Sequence, residues 1–194
     1  MFKRVGLFFC GLSMVAALTS CGEEELGGGI GEFTTVRASA VATTNRLESD
    51  LITGNTCTDG VSTGTETVST DNVDVAFTST ALFTTGALNL VISRITVQYT
   101  PVNPATTPDL PDYFIATTQT VAPGATVSIP VAVMTDSHKV LLLTHPTQSL
   151  SACSGVVFPY YVDVIFEVSE PGGNGKTRNV STRLNVEIAD RAGT

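Results

Sequence analysis

The sequence predicts an all-β fold, a single antiparallel β-sandwich of about seven to nine strands. Three observations carry this expectation. Only 14% of the 194 residues are charged, there is no Trp, and Leu, Lys and Glu are too sparse for much helix, whereas Thr and Val are plentiful. β-branched residues suit a pleated, half-buried surface. Apolar residues recur with a period close to two, and Gly- and Pro-rich turn signals separate the runs.

The elements follow in order. Residues 33–194 are expected to form the domain, starting near Phe33. Thr35 to Ala42 is a candidate first strand. Thr53 to Asp71 (TGNTCTDGVSTGTETVSTD) reads as a polar loop or ragged edge pinned by Cys57. Val73, Val75 and Phe77 alternate with polar or small residues. Leu88, Leu90 and Ile92 share one face, and Ile95, Val97 and Tyr99 continue in the opposite phase. One extra residue flips a period-two pattern, so a bulge or bend is expected near Ser93-Arg94. Pro101, Pro104, Pro108 and Pro111 mark a connection. Tyr113 to Val121 is a further strand, followed by an Ala122-Pro123-Gly124 turn.

Val127, Ile129, Val131 and Val133 line one face of the next strand. Pro130 has no N–H to give a ladder, which places that strand at an edge or at a bulge. Val140 to Leu143 is a short apolar run expected to be buried. Tyr160 to Val168 and Val180 to Ile188 alternate cleanly about the turn Pro171 to Gly175, predicting a long hairpin.

The N-terminus is of another kind. Met1-Phe2-Lys3-Arg4 is a short basic head, and Val5 to Leu18 carries no charge. A basic head before about 7–15 apolar residues is the layout of a secretory signal, and the run is short for a membrane span of about 20 residues. It ends Leu18-Thr19-Ser20-Cys21, which resembles the lipobox of bacterial lipoproteins. That resemblance implies cleavage after residue 20 and lipidation of Cys21 by diacylglycerol, with an acyl chain such as palmitate on the new amino group. Two or more acyl chains hold a protein stably at a membrane. Gly22, where an inner-membrane signal would place Asp, implies the outer membrane. Residues 1–20 are thus expected to be signal and residues 21–32 (CGEEELGGGIGE) an acidic, Gly-rich tether.

Of four cysteines, Cys10 leaves with the signal and Cys21 takes the lipid. Cys57 and Cys153 remain, in an exported and oxidising compartment, where a structural disulfide is expected. Two free thiols or a disulfide to a partner are the alternatives. Without Lys3 and Arg4, the 10 Lys+Arg fall to 8 against 18 Asp+Glu, a formal charge of −10. Such a balance argues against nucleic-acid binding, which relies on cations meeting phosphates. It leaves membrane attachment to the lipid.

Chemistry-bearing patterns are sparse. Gly175-Lys176-Thr177 lacks the P-loop's first glycine, since Glu170 stands there, so a turn and no nucleotide is expected. His138 and His145 are too few for a zinc site, and both read as surface or turn residues. Asp109 with Asp112, and Asp71 with Asp74, are pairs that calcium could use, but without an Asp-rich binding loop they read as solvated carboxylates. The mature chain has no Gly-x-Ser-x-Gly elbow and no haem-attachment Cys-x-x-Cys-His. No catalytic, metal or cofactor residue is assigned, and no catalysis is expected.

The strand pattern resembles the immunoglobulin-like or fibronectin-type-III-like sandwiches of bacterial lipoproteins, without the buried Trp of true immunoglobulin domains. The resemblance implies a lipid-anchored outer-membrane module, structural or protein-interacting, with a protein partner in the cell envelope. The alternative is a surface glycan-binding module, for which Tyr113, Phe114, Tyr160 and Tyr161 are the aromatic candidates. Adjacent Tyr160 and Tyr161 must point to opposite faces, leaving one of them outside.

Overall fold

The structure, a computed structural model, describes residues 30–191. The expected signal peptide (1–20), the lipidation site Cys21 and most of the tether lie outside these residues. Eleven strands and one helix are described, and nine of the strands form two facing sheets. The first sheet has the order β1 (Ile30–Glu32), β2 (Val36–Ala42), β6 (Asp71–Ala81), β9 (Thr126–Met134). The second has the order β3 (Arg46–Asp50), β11 (Thr177–Ala189), β10 (Phe158–Ser169), β7 (Leu90–Pro101), β8 (Tyr113–Val121). A separate hairpin pairs β4 (Thr53–Thr58) with β5 (Val61–Thr67).

Alternation makes the sandwich. In β10 every second residue, from Phe158 to Val168, is buried, and Val180 to Ile188 do the same in β11. Their inward side chains meet Val73, Val75 and Phe77 of the opposite sheet in one core. Phe77 and Phe166 touch across the layers with ring centroids 5.4 Å apart. Each such buried side chain contributes roughly 1.5–3 kcal/mol through lost contact with water. The period-two phase change in β7 has the expected cause. Ladder register slips between Ile92 and Arg94 against β8, and between Glu167 and Val168 against β10. Ser93 is therefore the extra residue against β10, and its hydroxyl is tied to Glu167 O at 3.2 Å, whereas against β8 the extra residue lies on β8, at Thr117-Thr118. Pro130 lies on the edge strand β9, opposite Asp74.

Five expectations are corrected. The sandwich is not purely antiparallel, because β3 pairs in parallel with β11, Arg46 opposite Asn185. Ile30–Glu32, expected in the tether, is strand β1 and pairs with β2. Thr53 to Asp71 is mostly an ordered hairpin, since Gly54 and Gly64 supply left-handed backbone (φ 82° and 106°) where a Cβ would fall 2.6–2.7 Å from a carbonyl oxygen. Val140 to Leu143 belongs to helix α1 (Asp136–Thr144) and is only partly buried: Leu142 is inside, whereas Val140 and Leu141 are exposed. Thr135 starts that helix by accepting the His138 N–H on its side chain. His145 ends it in extended backbone, as a residue before proline prefers. The fifth correction, the setting of His138 and Asp71, belongs to the site below. Among the described residues, no helix is long and apolar enough to cross a membrane.

Candidate functional site

Among the described residues, the second sheet ends in β8, which pairs only with β7. Its sequence, YFIATTQTV, holds no charge and no proline. Natural sheets blunt an edge with Lys, Pro, bulges or inward-pointing charges, because unpaired N–H and C=O groups are a template for another strand. Of its nine residues only Val121 is buried. Phe114, on the outer face, is 63% exposed, and Ile115, on the inner face, is 39% exposed. An inner-face residue can be that exposed only because the opposite sheet stops short of it. The facing edge, β9, leaves Val127 and Ile129 half-buried on the same flank. The sandwich is open between β8 and β9. The Arg94 guanidinium lies 4.9 Å above the Phe114 ring and steadies it.

A cleft of about 430 Å3 opens where β8 begins and β9 ends. Pro111, Tyr113, Ala132 and Leu141 give it apolar walls, and Asp112 and Asp136 give it carboxylates. Each acid is held by its own chain segment. Asp112 accepts the Tyr99 N–H (3.2 Å) and the Gln98 side-chain amide (3.0 Å). Asp136 accepts the Ser137 N–H on one oxygen (2.8 Å).

His138 forms part of the cleft wall and is only 4% exposed, not the surface residue expected. Its Nε2 lies 2.9 Å from the Pro111 carbonyl and its Nδ1 lies 2.8 Å from Thr135 Oγ1. A carbonyl only accepts, so Nε2 carries the proton and Nδ1 accepts from the hydroxyl. Burial lowers the His138 pKa below its ordinary value, more than the Pro111 carbonyl and Asp136 raise it. The wall is therefore neutral at pH 7, and both ring nitrogens are occupied. Tyr99 packs against His138 at 4.8 Å and donates its hydroxyl to Val133 O (3.0 Å), linking β7 to β9. Burial pushes the Tyr113 hydroxyl up to about 12.

The flank carrying β3 is closed by polar groups. Lys139 is wholly buried and donates to the Asp50 carbonyl (2.5 Å) and to Asp71 Oδ2 (2.9 Å). Ser49 donates to the same Asp71 oxygen at 2.5 Å. Asp71 is therefore not the solvated partner of Asp74 that its spacing suggested: it neutralises a buried ammonium, while Asp74 stays exposed. Glu170, fully buried at the end of β10, accepts the backbone N–H of Thr34 (2.8 Å) and Thr35 (3.1 Å) and the Thr35 hydroxyl.

Cys57 and Cys153 are joined in a disulfide across 96 residues, with Cα atoms 5.5 Å apart. Asp190 braces this junction by accepting from Asn55 Nδ2 (3.0 Å) and from the Cys153 N–H. The two sulfurs and the Asp190 carboxylate lie within 4.8 Å of one another. Sulfurs paired with each other are not thiolates, so this cluster is a staple and not a set of metal ligands.

Of the aromatic candidates, Tyr160 is fully buried and donates to Pro108 O at 2.7 Å. Tyr161 emerges on the outer face, 5.8 Å below the Arg183 guanidinium. Phe114 shares that face but pairs with Thr96, which pairs with Ile165, four residues along β10 from Tyr161. At about 3.3 Å per residue the two rings sit in rows roughly 13 Å apart, so they do not form one platform. His145 caps α1, and its Nδ1 accepts the Gln148 N–H. Asp109 is exposed, while Asp112 is bound to β7.

The groups missed in the sequence are Lys139, Glu170 and Asp190, each a charged residue buried by partners more than 30 residues away in sequence. Nothing local marks such residues. No family model matches the sequence, and no curated protein matches it.

Proposed function

We propose that this chain is a lipid-anchored cell-envelope lipoprotein of the outer membrane whose sandwich serves as a non-catalytic protein-interaction module. The observation that carries the interaction reading is β8: a nine-residue edge, uncharged and proline-free, with only Val121 buried and one bulge at Thr117-Thr118. Strand addition to such an edge is a general way to bind a partner, with main-chain hydrogen bonds supplying affinity. The anchoring reading rests on Leu18-Thr19-Ser20-Cys21 behind its basic and apolar leader. The immunoglobulin-like assignment within the all-β class rests on the same strand pattern as before.

Two measurements test the reading. Replacing Cys21 with Ala is expected to abolish palmitate labelling and to move the protein from the membrane to the soluble fraction. Unchanged membrane retention would sink the anchor. A photo-crosslinking residue at Phe114 is expected to trap an envelope protein in cells, whereas one at Val41, exposed on β2, is not. Equal yields from both positions would sink β8 as the interface.

A further inference from the structure

The open flank carries more than an edge. The cleft stands at the Tyr113 end of β8, between that end and the residues that lead from β9 into α1. Its apolar walls lead to two carboxylates, and among the described residues no Lys or Arg lines it. Both ring nitrogens of the histidine in its wall are already taken, by the Pro111 carbonyl and the Thr135 hydroxyl. Lys and Arg carry an apolar stem and a charged head, and they fit sites whose walls are apolar and whose rim is anionic.

We infer that β8 and this cleft together form one recognition site for an extended segment of a partner protein, added antiparallel to β8, with a Lys or Arg near its C-terminal end seated in the cleft between Asp112 and Asp136. This rests on the interaction reading above and specifies the partner's chemistry.

The charge distribution favours such a partner over a second copy of this chain. If a second β8 paired antiparallel about Thr117, Val121 would lie opposite Tyr113, and Ala122-Pro123 would come next at the cleft. That segment holds no cation, so both carboxylates would stay uncompensated. Two chains of net charge −8 would also repel each other.

The test uses the full-length protein and labelled nine-residue peptides of alternating Val and Thr, with Lys, Leu or Glu at the ninth position. Fluorescence polarisation reads affinity. The Lys peptide is expected to bind about tenfold tighter than the Leu peptide, the effect of one additional ion pair of about 1.4 kcal/mol, and the Glu peptide weakest. Asp136→Asn is expected to shrink the Lys-over-Leu ratio. Ile115→Lys, an inward-pointing charge beside the edge, is expected to weaken all three peptides. An unchanged melting temperature in both variants separates these effects from misfolding.

Equal binding of the Lys and Leu peptides, with Ile115→Lys still weakening both, would overturn the cationic anchor and leave the interaction edge standing. Binding by none of the peptides would overturn the recognition site, and the crosslinking at Phe114 then judges the broader reading by itself. Sedimentation as a dimer that Ile115→Lys dissociates would also overturn it and assign the edge to a second copy.

Discussion

The two flanks of the sandwich are finished in opposite ways. At the β3 flank, polar groups bridge the layers: Lys139 joins the end of β3 to the start of β6, Thr182 accepts the Ala42 N–H at 3.2 Å, and the disulfide pins the β4–β5 hairpin near Asp190. At the β8 flank the sheets end in bare edges, one carrying Pro130 and the other without any blocking residue. Pro130 removes one donor from β9 and makes it a poor template. β8 has no proline or charge, and its one irregularity is the extra residue at Thr117-Thr118, which leaves Tyr113 to Ala116 in regular register. Closure therefore concentrates polar bridging on one side and leaves the other, among the described residues, without it.

That contrast can be broken most sharply at Asp71. Asp71→Ala would leave the Lys139 ammonium buried without its counter-charge, and stability is expected to fall by about 3–5 kcal/mol in urea unfolding. Lys139→Met should cost less, because Asp71 keeps partial access to water and Ser49 as a donor. A larger loss for Lys139→Met would refute the account of this pair. The next largest effect is the disulfide. Replacing Cys57 and Cys153 by Ser is expected to cost about 2–4 kcal/mol. Peptide binding at β8 should persist where the protein stays folded, and its loss would show that the flanks are not independent.

His138 stands between the two regions and gives a pH signature. Its pKa is lowered on folding from an ordinary 6.5, so the folded domain holds that proton less readily than the unfolded chain. The stability it contributes is full above about pH 6.5 and is lost as pH falls through the lower folded value. Melting temperature is expected to decline over that range, with a shallower decline in His138→Gln. Parallel curves would show that other groups govern the acid side. The smallest effect is at the open edge. Phe114→Thr and Thr118→Lys should change stability by no more than about 0.5 kcal/mol, as exposed substitutions do. A loss several times larger would mean that β8 is a structural strand and not a docking edge.

The strongly alternating parts of the fold could be read directly. The β10–β11 hairpin, the bulge at Ser93, the edge position of Pro130 and the Cys57–Cys153 bridge each follow from a local pattern or from counting cysteines. Helix α1 could not. Its nine residues hold one short apolar run that suits a strand equally well, and the Thr135 cap that decides the matter is a single side chain. β3 (RLESD) is too polar to announce itself and exists because β11 offers it a parallel ladder. Of the candidate site, β8 was legible as a strand. Its exposure depends on how far the opposite sheet extends, and the cleft depends on α1. Both are tertiary facts, and so is the burial of His138.

The β3–β11 ladder also fixes an order of events in the life of the chain. Arg46 and Glu187, which form an ion pair across it, are 141 residues apart. Pairings this distant in sequence form slowly, because a long loop must close before any contact rewards it. The second sheet cannot be completed until β11 has been synthesised. A ribosome that stops early releases a chain with β3 unpaired and with no inner strand between it and β10, and a protease can distinguish that product from the finished one.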